Sequence, residues 1–255
     1  MREKPAPPPA PWLYGDRFFV YTTGQSLESA KAIVPVLRRL MPDVASVIDF
    51  GCAQGAWLRT WQDIGVEDVL GLDGDYVKRA TLLIPECAFR SHDLNAVADA
   101  GRRFDLAQSL EVAEHLSPEG GAALVESLTA HADRVLFSAA PPGQGGENHI
   151  NEQPYEYWRD LFRARGYRAH DCVRPLISGM EGVARWYRYN LLLYVKESSE
   201  APIASTVLAS RLPENRSIPD ISPSLYKVRK AVVRRLPAAA QNWIAWMLSR
   251  VRSVS

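Results

Sequence analysis

The sequence predicts an α/β domain with a doubly wound, mostly parallel sheet and helices on both faces. Three observations predict it. Short apolar runs alternate with segments of helical apolar spacing, from residue 46 to residue 165. A helical segment between successive runs implies strands that run parallel and are covered on both faces. The last two runs, 167–173 and 187–196, have no helical pattern between them, which predicts an antiparallel edge.

Taken in order, residues 1–11 are Pro-rich and read as extended, and 1–25 are set apart as an N-terminal segment. Leu27, Ala30, Ile33, Val34, Leu37 and Leu40 share one helical face over 26–41, with Ser26 as N-cap and Pro35 as a kink. Strand 46–50 then enters a Gly-containing turn and helix 55–63, whose Trp57 and Trp61 read as core. Strand 68–73 precedes helix 75–83, and strand 87–91 follows. Strand 104–109 runs into a helical turn at 111–116, then helix 119–130 and strand 135–139. A Pro/Gly-rich loop, 141–146, leads to helix 156–165. The α/β domain is therefore expected to span 26–197, with a Ser/Pro-rich linker over 198–224. Over 225–255 a basic amphipathic helical tail is expected. Leu225, Val228, Val232 and Leu236 fall on one side of it, and Lys227, Lys230 and Arg234 on the other. Trp243, Trp246 and Met247 repeat the theme after Pro237. There is no internal repeat.

Composition excludes several classes. The chain of 255 residues is 47% hydrophobic, too apolar for a disordered protein. No run approaches the roughly 18 apolar residues that span a bilayer. The N-terminal stretch lacks the apolar centre of a signal peptide. Cys52, Cys87 and Cys172 are scattered, with no Cys-x-x-Cys, which argues against a disulfide framework or a cysteine zinc site. A cytoplasmic protein is the expectation. The net charge of +1 hides an asymmetry. Seven basic and no acidic residues lie beyond residue 220, so the rest of the chain holds 23 basic against 29 acidic residues.

The first strand ends in Asp49-Phe50-Gly51-Cys52-Ala53-Gln54-Gly55. Parallel α/β sheets bind ligands at the carboxyl ends of their strands, and glycine there lets backbone approach a ligand closely. Alone, such a turn is equally a tight strand–helix loop. Asp73 ends the second strand 22 residues after Gly51, where an acid can accept hydrogen bonds from both hydroxyls of a ribose. Asp93 and Leu94 follow the third strand, and Ser109 ends the fourth.

As a set, over about residues 44–196, these features resemble the class I S-adenosylmethionine-dependent methyltransferases. The glycine-rich motif of that family is matched by Asp49, Gly51 and Gly55, with Ala53 where a glycine is frequent. The resemblance implies a Rossmann-like sheet of seven strands with the last antiparallel. It implies that Asp73 holds the ribose, that Asp93 and Leu94 border the adenine, and that Gly74 and Ser109 belong to the cofactor side. Nicotinamide enzymes are the rival class, but Ala53 and Ala56 stand at the second and third glycines of their fingerprint.

Glu111, Glu114 and His115, at i, i+3 and i+4, share one face of a helical turn beside this edge. His149 lies beyond the next strand. Two carboxylates and two imidazoles suit a divalent cation, Mg2+ or another. The constellation is similar to the ubiquinone-pathway O-methyltransferases and, in part, to the small-RNA 3′-terminal 2′-O-methyltransferases. Glu-His-Leu at this place is also frequent in family members that bind no metal, so a structural role for Glu114 and His115 stays open. His149 reads three ways: metal ligand, general base, or polar contact to substrate. With His115 it completes the candidate catalytic pair.

The expected reaction is O-methylation of a small-molecule or sugar hydroxyl. The alternatives are an RNA 3′-end methyltransferase and a cofactor-binding scaffold without turnover. An acidic body argues against nucleic acid. The basic tail is expected to lie on an anionic membrane, on a nucleic-acid backbone, or packed on the body. Its apolar stripe favours the first and last, which would make the protein peripheral on the inner face of a membrane. Tyr14, Phe18, Phe19 and Tyr21 are candidates to cap the cofactor, to line the acceptor pocket or simply to pack.

Overall fold

A computed structural model describes residues 16–199 and 203–237, with the backbone alone given for residues 16–22. Its centre is one seven-stranded sheet in the order β3-β2-β1-β4-β5-β7-β6. The strands are β1 (Ser46–Phe50), β2 (Asp68–Asp73), β3 (Phe89–Ser91), β4 (Leu106–Leu110), β5 (Arg134–Ser138), β6 (Tyr167–His170) and β7 (Leu192–Lys196). The first five pair in parallel, and β7 runs antiparallel to both β5 and β6. The strand order reverses between β1 and β4, which leaves a crevice at the carboxyl edge.

Alternation along the buried strands divides the core into two layers. Val47, Leu106, Leu136 and Leu193 face α1 (Asp16–Leu40) and α2 (Ala56–Asp63). Ile48, Ala107, Val135 and Tyr194 face α3 (Pro118–His131) and α4 (Tyr155–Ala164). Helix α3 begins cleanly because Ser117 accepts from the Gly120 amide at 3.0 Å and Pro118 occupies the first turn. Trp57 and Trp61 are core, as expected, and Trp61 Nε1 donates to Gln108 Oε1 at 3.2 Å.

Several expectations require correction. Helix α1 starts at Asp16, so Ser26 lies inside it and caps nothing; its hydroxyl shares a 2.9 Å hydrogen bond with the Tyr187 hydroxyl. Residues 75–83 form no α-helix, only a single 3-10 turn at Arg79–Thr81. Their backbone is spent elsewhere: the Val77 amide donates to Gly74, and the Leu83 amide reaches back to Gln54 at 2.8 Å. Between β6 and β7 the chain forms α5 (Arg174–Ile177) and α6 (Arg185–Asn190), so Tyr187 is helical and the last strand is shorter than predicted. The antiparallel edge survives, because the two short helices return the chain without a parallel crossover.

The stretch read as a linker is folded onto the body. It carries α7 (Ser205–Ala209), with Val207 buried, and the Leu212 amide donates to Ala169 at 2.8 Å. Helix α8 (Ser224–Val233) follows. Its orientation inverts the expected amphipathic face: Lys230 and Val233 are buried, whereas Leu225, Val228 and Val232 are exposed. Residues 238–255, with Trp243, Trp246 and Met247, lie outside the described residues, as do Tyr14 and the side chains of Phe18, Phe19 and Tyr21. No helix among the described residues is long and apolar enough to cross a membrane.

Candidate active site

The turn after β1 winds through the left-handed region, with φ +84° at Gly51, +47° at Ala53 and +85° at Gly55. A Cβ on Gly51 would stand 2.4 Å from Val112 Cγ2, so only glycine fits. Ala53 takes this conformation at a cost of about 1 kcal/mol. What holds it there is Asp73, whose Oδ2 accepts from the Ala53 amide at 2.7 Å. Asp73 Oδ1 accepts from the Gly74 amide at 2.7 Å and from the Tyr76 hydroxyl. Burial raises the Asp73 pKa, and these donors oppose the rise, Tyr76 most strongly. Asp49 is also buried, which pushes its carboxyl up to about 7; the neighbouring Gln108 amide pulls down and the Asp73 charge adds to the rise.

The structure thus gathers Asp49, Gly51, Gly55, Asp73 and Gly74 around one crevice. The other cofactor-side residues are placed differently. Asp93 is exposed, and its Oδ1 accepts from both the amide and the side chain of Asn95 in a local turn beside buried Leu94. Ser109 donates to the Phe50 carbonyl at 2.8 Å, so its one donor ties β4 to β1.

Across the crevice, Glu111 follows β4 with φ +59°. Gln144 donates to its Oε2 at 2.7 Å and Asn190 to its Oε1 at 3.1 Å. Asn190 also donates to Gln144 Oε1 at 2.8 Å and accepts from the Tyr155 hydroxyl at 2.8 Å. Burial raises the Glu111 pKa, and the two amides oppose it.

Glu114 is the opposite case. It is fully buried, and neither carboxylate oxygen has a hydrogen-bond partner. Burial, then the charge of Glu111, holds its pKa well above the usual carboxylate range. Beside it, His115 Nδ1 is buried and equally unpartnered. Burial, then the charge of His149, pushes the His115 imidazole down to about 3, so the ring is neutral and available as a ligand. The His115 and His149 rings meet edge to face at 4.9 Å between centroids. Ligand atoms of Glu114, His115 and His149 all lie within 4.8 Å of one another. Three of the four expected ligands therefore converge, and Glu111 is held apart by its amides.

A residue without an assigned role in the sequence completes the arrangement. Glu152 Oε1 pairs with His149 Nδ1 at 2.8 Å and accepts from the Gly145 amide at 2.7 Å, while Oε2 accepts from the Gly143 amide at 2.7 Å. The Gly-rich loop is wound around this carboxylate. Engaging Nδ1 leaves His149 Nε2 as the free nitrogen, and this second contact is the usual support of a metal-binding histidine. The i, i+3 spacing of His149 and Glu152 was the available signal. Gln144 and Asn190 gave none, because partners so distant in sequence meet only through the fold.

The fold agrees with what comparisons find. Residues 27–171, more than half of the chain, match the family described as "Methyltransferase domain". No curated protein matches. Solved structures share the fold. DesVI of Streptomyces venezuelae is 16% identical, with a TM-score of 0.54 over 71% of this chain and 96% of that one. The sugar N-methyltransferase KedS8 of a Streptoalloteichus species is 15% identical, with a TM-score of 0.54 over 77% and 98%. An O-methyltransferase family protein of Burkholderia thailandensis is 13% identical, with a TM-score of 0.54 over 74% and 62%. With its strand order, its glycine turn and Asp73 in place, the chain belongs to the methyltransferase-domain family and is a class I S-adenosylmethionine-dependent methyltransferase.

Proposed function

We propose that the protein methylates a hydroxyl of a small molecule or sugar with the help of a divalent cation held by Glu114, His115 and His149. One observation carries this reading: a fully buried carboxyl that no side chain pairs, within reach of two imidazoles. An orphaned carboxylate costs several kcal/mol unless it stays protonated or meets a cation. One carboxylate and two imidazoles favour a borderline ion such as Mn2+, Co2+ or Zn2+ over Mg2+, which prefers oxygen and keeps its waters.

When bound, S-adenosylmethionine would supply an electrophilic methyl group, and a cation held by Glu114, His115 and His149 would make an acceptor hydroxyl more acidic. The chain supplies position. Asp73 offers acceptor oxygens to the ribose, and Asp49 and the Gly51–Gly55 turn shape the cradle. Glu152 fixes the His149 tautomer and Gln144 closes the loop against Glu111. Alignment of nucleophile and methyl group is then the main contribution to rate. The Glu152–His149 pair also favours a second reading, in which His149 takes the acceptor proton without a cation.

Calorimetric titration with Mn2+ separates the two. One saturable site is expected, lost in Glu114→Gln while the fold is kept. Absence of binding, or equal binding by that variant, would leave His149 as a base.

A further inference from the structure

Most of the accepting capacity of Asp73 is taken up inside the protein. Oδ2 accepts from the Ala53 amide at 2.7 Å. Oδ1 accepts from the Gly74 amide at 2.7 Å and also from the Tyr76 hydroxyl. A carboxylate offers about four lone pairs, so one position is left, on Oδ2. A ribose diol that spans the carboxylate needs one on each oxygen.

The three donors differ in kind. Ala53 and Gly74 give backbone amides, fixed by the turn after β1 and by the end of β2. Tyr76 gives a side chain that lies half in solvent. It is 52% exposed, while the Asp73 it covers is 3% exposed. Its ring rests on Gly74, where a Cβ would stand 2.2 Å from Tyr76 Cε1, so the glycine makes the seat. The backbone beside it is pinned by Val77, which is buried and whose amide donates to the Gly74 carbonyl at 3.2 Å. To uncover Oδ1, only the Tyr76 side chain has to turn.

We propose that Tyr76 is a latch on the cofactor site: its hydroxyl holds Oδ1 of Asp73, and the ribose diol of S-adenosylmethionine takes that oxygen only by displacing it. Each exchange trades one hydrogen bond to the carboxylate for another. The latch lowers the affinity for substrate and product nucleosides alike, because only the displaced conformer binds both hydroxyls. It also keeps a buried carboxylate paired between turnovers, which eases product release. The latch rests on Asp73 as the ribose acceptor and on nothing in the metal reading.

The test is calorimetric titration of the full chain, wild type and Tyr76→Phe, with S-adenosylhomocysteine and with its 2′,3′-dideoxy analogue. The variant keeps the ring on Gly74 and removes only the hydroxyl. S-adenosylhomocysteine is expected to bind the variant about tenfold more tightly, the weight of about one hydrogen bond to a charged group. The dideoxy analogue is expected to bind both proteins equally. Weaker binding of S-adenosylhomocysteine by the variant would make the phenol part of the ribose cradle and overturn the latch. An equal gain for the dideoxy analogue would show that the phenol obstructs the site without competing for Asp73, with the same consequence. A wild type that prefers the diol, with no gain in the variant, would leave Asp73 its ribose role and overturn the latch alone. If neither protein distinguishes the two ligands, Asp73 does not hold the ribose, and the latch falls with that role.

Discussion

Asp49 and Asp73 show how burial and donors set the character of a carboxylate. Asp73 has three donors around it, from Ala53, Gly74 and Tyr76. Asp73→Asn should weaken S-adenosylmethionine binding by about 1.5–3 kcal/mol, the scale of hydrogen bonds to a charged group. Unchanged affinity by calorimetry would remove Asp73 from the ribose role. Asp49 has a different consequence. In the folded protein it keeps its proton up to about pH 7, whereas in the unfolded chain it releases it near 3.8. Between those values the folded state binds more protons, so the Asp49 contribution to stability falls as pH rises through the window. Asp49→Asn should abolish that loss and stand above the wild type at pH 8 by a few kcal/mol, read by denaturant unfolding. Parallel pH curves for the two proteins would contradict the assignment. Glu152 acts through His149. Glu152→Gln should lower metal affinity or turnover by about 10–100-fold, the usual cost of losing such a support, and leave cofactor affinity unchanged. An equal loss in both would make Glu152 a fold residue only.

Elements place these residues, and they differ in how plainly the sequence announces them. Strands β1, β2, β4 and β5 are legible because each is a short apolar run buried on both faces. The glycine turn and Asp73 are legible because their spacing reflects one turn and one strand. Residues 75–83 are not. Their helical composition is overruled by Val77 and Ile84, both buried, which pin the ends of the segment to the body. The two helices before β7 are hidden because Pro175, Gly179 and Gly182 break any periodicity. For α8 the period is right and the face is wrong, since spacing shows that two stripes exist and not which one is covered. The loop beneath it offers a direct check. Gly143 has φ +87° and touches the Lys230 carbonyl, so Gly143→Ala must strain the backbone and push α8 away. A loss of about 1–3 kcal/mol is expected, with faster hydrogen exchange in residues 224–233. Wild-type exchange there would show that α8 does not depend on the loop.

At the scale of the molecule, the sheet converts separate strand ends into one site. Its order reverses between β1 and β4, so the cofactor crevice opens beside the loops after β4 and β5. Those two loops bring Glu114, His115 and His149 together, although the last is 34 residues from His115 in the chain. The candidate site was partly readable for this reason: the family's motifs name the residues, while the fold decides that Glu111 is held by amides and that Glu152 joins in its place. The acceptor was not readable, because no sequence motif names the groups that would bind it, and pairings such as Gln144 with Asn190 are made only by the fold. Metal-assisted methyl transfer to oxygen is tested most directly by labelled S-adenosylmethionine and fractionated small metabolites and glycans, with and without EDTA. Label is expected in a hydroxylated acceptor, abolished by EDTA and restored by Mn2+. Label that persists in EDTA, or that sits on nitrogen, would contradict it.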